Sequence, residues 1–190
     1  MTSALILAST SPYRRELLSR LGLAFDCLSP DVDEALREGE APAERAMRLA
    51  RAKALAGASE RPGAWVIGSD QVCALGAKIL RKPGTPERQA SQLQQLAAQS
   101  VRFETAVAMA QDGQILGEAL VPTEVLFRAL SSADIAEYTR KEPAADCAGG
   151  FKVEGLGISL FEHVRSDDPT ALVGLPLIAT SALLRQVGLG

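Results

Sequence analysis

The stretch Trp65-Val66-Ile67-Gly68-Ser69-Asp70-Gln71-Val72 constrains this chain more than any other. A short apolar run follows the breaker Arg61-Pro62-Gly63, then meets two small residues and an acid. Apolar runs of this length bounded by turn residues read as buried strands. The strand's end is expected to deliver Asp70 to the carboxyl edge of a sheet, where α/β proteins place ligands. Gly68 and Ser69 leave room for something to approach the backbone. Asp70 is therefore the candidate chemical centre, toward which the other charged segments are expected to converge.

Composition narrows what that centre can be. A chain of 190 residues with a 47% apolar share suits one soluble domain, expected to span residues 1–190. Twenty basic against 23 acidic residues give a net charge of −3, which argues against a protein that coats a nucleic acid polymer. A local basic pocket for a small anion stays open. Cys27, Cys73 and Cys147 are odd in number and contain no CxxC pair, so they read as small buried hydrophobes in a reducing compartment. His163 is the single histidine, so neither a multi-His metal site nor an imidazole relay can be built. Chemistry here must run on carboxylates, lysines, arginines and hydroxyls, with or without a hard metal ion. The first eight residues lack a basic leader region and carry too short an apolar run for a signal peptide. No apolar stretch approaches the roughly 18 residues of a membrane span. A cytoplasmic protein with no membrane partner is expected.

Along the chain, residues 4–8 read as a short buried strand. Ser11 follows as a helix N-cap with Pro12 at the first helical position, and Gly22 closes that helix. Ser9 and Arg14 then stand near a helix N-terminus, a natural anion site, though an ordinary capped helix with solvated arginines explains them equally. Residues 25–28 suggest a strand, followed by the acidic run Asp31-Val32-Asp33-Glu34. Residues 43–58 have helical spacing, with Ala46, Leu49, Ala50, Lys53, Ala54 and Gly57 along one side. A lysine on such a face either snorkels outward or serves a site.

Residues 72–74 and 78–80 flank a hairpin-like turn, and Arg81-Lys82-Pro83-Gly84 leads to a helix from Thr85 to about residue 98. Residues 101–110 and 115–129 read as long strands joined at Asp112-Gly113. Ser131 caps a short helix to about Arg140, and residues 142–150 read as loop. Residues 151–161 read as a strand bent at Gly155 and Gly157, Asp167-Asp168-Pro169-Thr170 as a turn, and residues 178–187 as a helix. The fold class is α/β with a mixed sheet.

Several segments together resemble the Maf family of nucleotide pyrophosphatases. They begin with Leu5-Ile6-Leu7-Ala8-Ser9-Thr10-Ser11-Pro12-Tyr13-Arg14-Arg15-Glu16-Leu17-Leu18, Asp31-Val32-Asp33-Glu34 and Arg48-Leu49-Ala50-Arg51-Ala52-Lys53-Ala54. They continue with Ile67-Gly68-Ser69-Asp70-Gln71-Val72, Lys82-Pro83, Cys147-Ala148-Gly149-Gly150-Phe151-Lys152-Val153-Glu154-Gly155 and Val173-Gly174-Leu175-Pro176-Leu177. Each is weak alone, whereas the ordered set is highly specific. The resemblance implies a Maf/inosine-triphosphatase-like fold, an elongated mixed β-sheet flanked by helices, with two lobes and a cleft between them, often as a homodimer. It also implies cleavage of a nucleoside triphosphate between its α- and β-phosphates, with a divalent cation (Mg or Mn) as cofactor.

The residue types suit those roles. Asp70 as general base would take a proton from the attacking water. Glu34 and Asp70 are oxygen ligands for a hard cation, and which of them holds metal and which takes the proton stays open. Arg14, Lys53 and Lys82 match the family's basic positions and would offset charge on the phosphates, while Ser9 can donate to a phosphate oxygen. Arg15 serves equally as a buttress of the acidic loop. Tyr13, Gln71 and Glu154 resemble the specificity positions of the 7-methyl-GTP branch, where the dTTP/UTP branch tends to have Arg, Thr and Gln. A guanine made cationic at N7 favours an aromatic face such as Tyr13. Glu154 can accept from the base's N1–H and N2–H₂ edge, and the Gln71 amide can turn either way.

Two positions depart from the family pattern: Arg81 stands where a small residue is usual, and Ala97-Ala98-Gln99 lacks the usual glycine. The competing readings are a dTTP/UTP pyrophosphatase of the same family, an inosine-triphosphate pyrophosphatase, and a nucleotide-binding regulator of cell division with little turnover.

Overall fold

In the computed structural model, which describes residues 4–189, strand β1 (Leu5–Ala8) is buried along its whole length. Met1, Thr2 and Ser3, the start of the stretch read for a leader, lie outside the described residues, as does Gly190. Ser11 accepts a hydrogen bond from the Arg14 amide and so caps α1 (Pro12–Ser19). The chain continues through β2 (Asp26–Leu28), α2 (Pro42–Glu60), β3 (Trp65–Leu75), β4 (Lys78–Leu80) and α3 (Pro86–Leu96). It ends with β5 (Ser100–Gln111), β6 (Gln114–Phe127), α4 (Ser132–Lys141), β7 (Phe161–Ser166) and α5 (Leu177–Gln186). The seven strands form one mixed sheet in the order β2-β1-β3-β5-β6-β7, with β4 beside β3. No helix among the described residues is long and apolar enough to cross a membrane.

The chain divides into two compact units. Among the described residues, the first comprises those up to Gln71, then Glu104–Val121, then those from Asp168 on. Its strands β1 and β2 run parallel, as do β1 and β3, which is the arrangement helical crossovers impose. Alternation along the strands sorts side chains to two faces. Leu5, Leu7 and Ile67 join Leu17 and Leu18 of α1 and Leu183 and Leu184 of α5 in an aliphatic core. The opposite face meets α2 through small residues. A Cβ on Gly68 would stand 2.3 Å from the Ala50 carbonyl oxygen and 2.4 Å from the Ala54 nitrogen, so only glycine lets β3 lie directly on that helix. The close approach read from Gly68 is therefore that of a helix. In the β5–β6 hairpin, Asp112 and Gly113 have φ of 47° and 79°, the pair of positive angles a tight two-residue turn requires.

The second unit comprises Val72–Phe103 and Pro122–Asp167. Its core is aromatic: Phe151 meets Phe103, Phe127 and Phe161 edge-to-face at 5.5, 5.6 and 4.8 Å. Gln89 of α3 is fully buried and donates to the carbonyls of Glu142 and Gly150 while accepting from the Ala144 amide. The turn that lacks its usual glycine is closed by Ala98 itself, held at φ 57° with its amide on the Arg128 carbonyl.

Two expectations are corrected. Asp70 does not end its strand, because β3 runs on to Leu75. The pairing with β1 stops at Gly68, and pairing with β4 begins only at Cys73. Asp70 thus lies just past the end of the parallel pairing, within a longer strand. Residues 151–161 do not form a strand either: a turn leads into a 3₁₀ helix at Leu156–Leu160. Gly155 packs on the Glu142 carboxylate and Gly157 on the Lys152 carbonyl. That packing folds the segment back and leaves no extended run.

Candidate active site

The sequence places a lysine on the apolar face of α2, and packing decides what it does. Gly68, Ala50 and Ala54 bring helix and strand together, and Lys53, only 8% exposed, is carried onto β3. An unpaired ammonium buried there would be strongly destabilising. Instead its Nζ donates to Asp70 Oδ1 at 2.7 Å and lies 2.7 Å from Glu34 Oε1. Asp70 is itself buried, whereas Glu34 is an exposed residue of the irregular segment that follows β2. Lys53 therefore serves as the hub of two carboxylates and does not snorkel to solvent.

Arg14 completes the charge pattern. Burial pushes its guanidinium below the ordinary range, and the nearby carboxylates Asp70 and Glu34 pull it back up. Its Nε donates to the Gly174 carbonyl at 2.9 Å, which fixes the plane of the fork. For Glu34, burial alone would raise the pKa, but the hydrogen bond and charge of Lys53, with Arg14 and Arg45, hold it below the ordinary value. Glu34 is thereby kept in its carboxylate form at neutral pH. Ser9 is buried, and its hydroxyl accepts from the Ser11 amide at 3.2 Å, bracing the approach to α1. Tyr13 is half-buried in the first turn of that helix.

Glu34 is held in reach by residues the sequence did not single out for this task. Arg45 donates to the Glu34 and Ala35 carbonyls at 2.6 and 3.1 Å. Arg48 pairs with Glu40 and donates to the Ala35 carbonyl. These two arginines, one turn apart on α2, stitch the acidic loop to the helix that carries Lys53. The buttress proposed for Arg15 is supplied here, while Arg15 itself is exposed. A spacing of three on the helix that bears Lys53 was the available signal.

Gln71 also differs from expectation. Its Nε2 lies 2.8 Å from the Ala171 carbonyl, 3.0 Å from that of Leu172 and 3.1 Å from Thr105 Oγ1. Two carbonyl acceptors fix the amide orientation, so it does not turn either way. Lys82 and Glu154 belong to the second unit. Lys82 is exposed in the turn after β4, ahead of buried Pro83, and that turn is tied down by Gln92 on the Arg81 carbonyl and by the Gly84 amide on Ala145. Glu154 is exposed in a turn whose base is braced by Glu142, which accepts from the Tyr138 hydroxyl and the Gly157 amide, each at 3.0 Å.

Glu34 and Asp70 offer hard oxygen donors around one cationic position, the chemistry Mg²⁺ or Mn²⁺ takes. Among the described residues no group of three or more His, Cys, Asp or Glu side chains is disposed for a metal. Two carboxylates leave the remaining coordination positions to water and phosphate oxygens, as is common for such cations. The donor set fits a cation shared with a phosphorylated ligand.

The family model described as "Maf-like protein" matches residues 4–187. A 7-methyl-GTP pyrophosphatase of Xanthomonas oryzae pv. oryzae is 57% identical over 188 residues, which cover 99% of this chain and 98% of that protein. The protein of the same description from Cupriavidus metallidurans is 52% identical over 188 residues, covering 97% and 94%. A solved nucleoside-triphosphatase / dITP/XTP pyrophosphatase from Mycobacterium abscessus covers 96% of this chain and 93% of its own, at 16% identity and a TM-score of 0.47.

Proposed function

This chain belongs to the Maf family, and on that premise we propose that it hydrolyses 7-methyl-GTP to 7-methyl-GMP and pyrophosphate. The observation that carries the chemistry is the double pairing of Lys53 with Asp70 and Glu34, both at 2.7 Å. The specificity for 7-methyl-GTP follows the relatives' descriptions and the residues at positions 13, 71 and 154.

In the reaction, water attacks the α-phosphorus, the bond from that phosphorus to the α–β bridging oxygen breaks, and pyrophosphate leaves. Asp70, oriented by the hydrogen bond from Lys53, takes the proton of the attacking water. Lys53 and Arg14 are already in place as charge spreads over the phosphate oxygens, so no reorganisation is needed at that moment. Ser9 donates to a phosphate oxygen, and Lys82 adds positive charge at the departing pyrophosphate. A divalent cation held by Glu34 and Asp70 supplies further neutralisation of the phosphate charge when bound. Tyr13 offers its ring face to the cationic base, and Glu154 accepts from the N1–H and N2–H₂ edge. The roles of Lys82 and Glu154 rest on the sequence match.

A small nucleotide, without any nucleic acid polymer or membrane, is the partner this reading implies; a homodimer and a cytoplasmic location go with it. The test is a substrate panel of 7-methyl-GTP, GTP, dTTP and UTP with Mg²⁺ or Mn²⁺, read as nucleoside monophosphate and pyrophosphate released. The proposal predicts that 7-methyl-GTP has the highest kcat/KM. Equal or better turnover of dTTP or UTP would overturn it.

A further inference from the structure

We propose that Gln71 is a positioning residue for Arg14, acting through the 171–174 turn. This rests on the reading of Arg14 as a phosphate-binding side chain. Alternation along β3 sends Asp70 to the α2 face and Ser69 and Gln71 to the other. The opposite face is where residues 171–174 cross. Ala171–Val173 form a short 3₁₀ turn, and Gly174 leaves it at φ 128°, an angle side-chain-bearing residues rarely adopt.

This turn is gripped from below by three polar side chains, two of them from one strand. Gln71 reaches the Ala171 and Leu172 carbonyls at 2.8 and 3.0 Å. Thr105 donates its hydroxyl proton to the Ala171 carbonyl at 2.9 Å, which leaves its lone pair facing the Gln71 amide. The Ser69 hydroxyl lies 2.8 Å from the Ala106 carbonyl and 3.1 Å from that of Gly174. The far end is anchored separately: Asp168 accepts from the Thr170 and Ile178 amides, and Thr170 Oγ1 accepts from the Leu177 amide. With both ends and the underside held, the Gly174 carbonyl has a fixed position, and Arg14 Nε donates to it at 2.9 Å.

An amide nitrogen has two protons, and both are spent on this turn. Gln71 has no donor left for a base. What it can do is set the carbonyl that orients the guanidinium, whose Nη pair is the part of the fork suited to a phosphate. One strand thus carries the general base on one face and, from the other, the support of the phosphate arginine.

The experiment uses Gln71→Met, which keeps length and removes the donors, and Thr105→Val, with Thr105→Ser restoring the hydroxyl. Binding of inorganic tripolyphosphate is measured by calorimetry, and base discrimination as the ratio of kcat/KM for 7-methyl-GTP over GTP. Gln71→Met is expected to weaken tripolyphosphate, which carries no base, about tenfold. In its background Arg14→Ala should cost little more, since the two act in series. Thr105→Val should move in the same direction and Thr105→Ser recover, which decides the matter if Gln71→Met fails to fold. A collapsed base ratio with unchanged tripolyphosphate binding would overturn the proposal, assigning base reading to Gln71 Oε1. So would additive effects of Gln71→Met and Arg14→Ala, or an Arg14→Ala variant that binds tripolyphosphate as well as the wild type. If the wild type spares 7-methyl-GTP but the tripolyphosphate cycle holds with Arg14, the substrate reading fails and the positioning role stands.

Discussion

Lys53 in the first unit and Gln89 in the second are both buried polar side chains on helices, and both have polar partners. Gln89 spends its whole amide on backbone: two carbonyls and one N–H of the loop it faces. Lys53 spends its charge on two side-chain carboxylates, one buried and one exposed. The first pattern locks a loop that has no regular structure of its own. The second holds two acids of like charge around one cation, and exposed Glu34 brings that cluster to solvent. Burial and polar pairing are common to both, so neither marks a site. The identity of the partners does.

The comparison is most easily broken at Lys53. Lys53→Met is expected to lower kcat/KM by about 10²–10³, because a fixed positive charge beside the reacting phosphate is lost. The same change leaves Asp70 buried and unpaired, so stability falls as well. Adding Asp70→Asn should restore much of that stability without restoring turnover. Recovery of activity in the double variant would show that the pair is structural. Gln89→Met should behave in the opposite way. It removes three backbone partners at once, for a loss of about 2–4 kcal/mol in denaturant unfolding. No second side-chain change repairs it, and turnover per folded molecule should hold.

A smaller effect sharpens the electrostatics. Glu34 is held below its ordinary value of 4.5 against the effect of burial, through its hydrogen bond and charge pairing with Lys53. A depressed carboxylate contributes stability that is complete above the unfolded-state value and is lost as pH falls through the folded-state value. Unfolding followed from pH 7 downward should therefore show a steeper loss below roughly pH 4.5 in wild type than in Glu34→Gln. Parallel curves would mean that the Lys53–Glu34 pairing contributes nothing in solution.

Much of the first unit was legible in the sequence because its signals are local. Ser11 and Pro12 announce the start of α1, and the spacing of Ala46, Leu49, Ala50, Lys53, Ala54 and Gly57 marks the buried face of α2. Lys53 is ambiguous on the helix pattern alone, and only the resemblance to the Maf family sets it with Asp70 and Glu34. What was misread depended on distant partners. Gly68-Ser69-Asp70 looks like a strand end because small and acidic residues disfavour strands. The strand continues because Gly68 is covered by α2 and the Ser69 hydroxyl finds the Ala106 and Gly174 carbonyls. Residues 151–161 alternate well enough to mimic a strand, yet Phe151 and Phe161 are drawn to the aromatic core while Gly155 and Gly157 fold the segment between them onto Glu142 and Lys152. The grip of Gln71, Ser69 and Thr105 on the 171–174 turn joins segments up to 105 residues apart. No local pattern encodes it.

The central claim is that Asp70, oriented by Lys53, is the base of a nucleotide pyrophosphatase. Its most direct test is Asp70→Asn, assayed for pyrophosphate release from 7-methyl-GTP and, separately, for nucleotide binding. Lys53 keeps Glu34 as a partner in that variant, so the site should survive. Hydrolysis should fall by about 10²–10⁴ while nucleotide binding is largely kept. Hydrolysis at the wild-type rate would contradict the account.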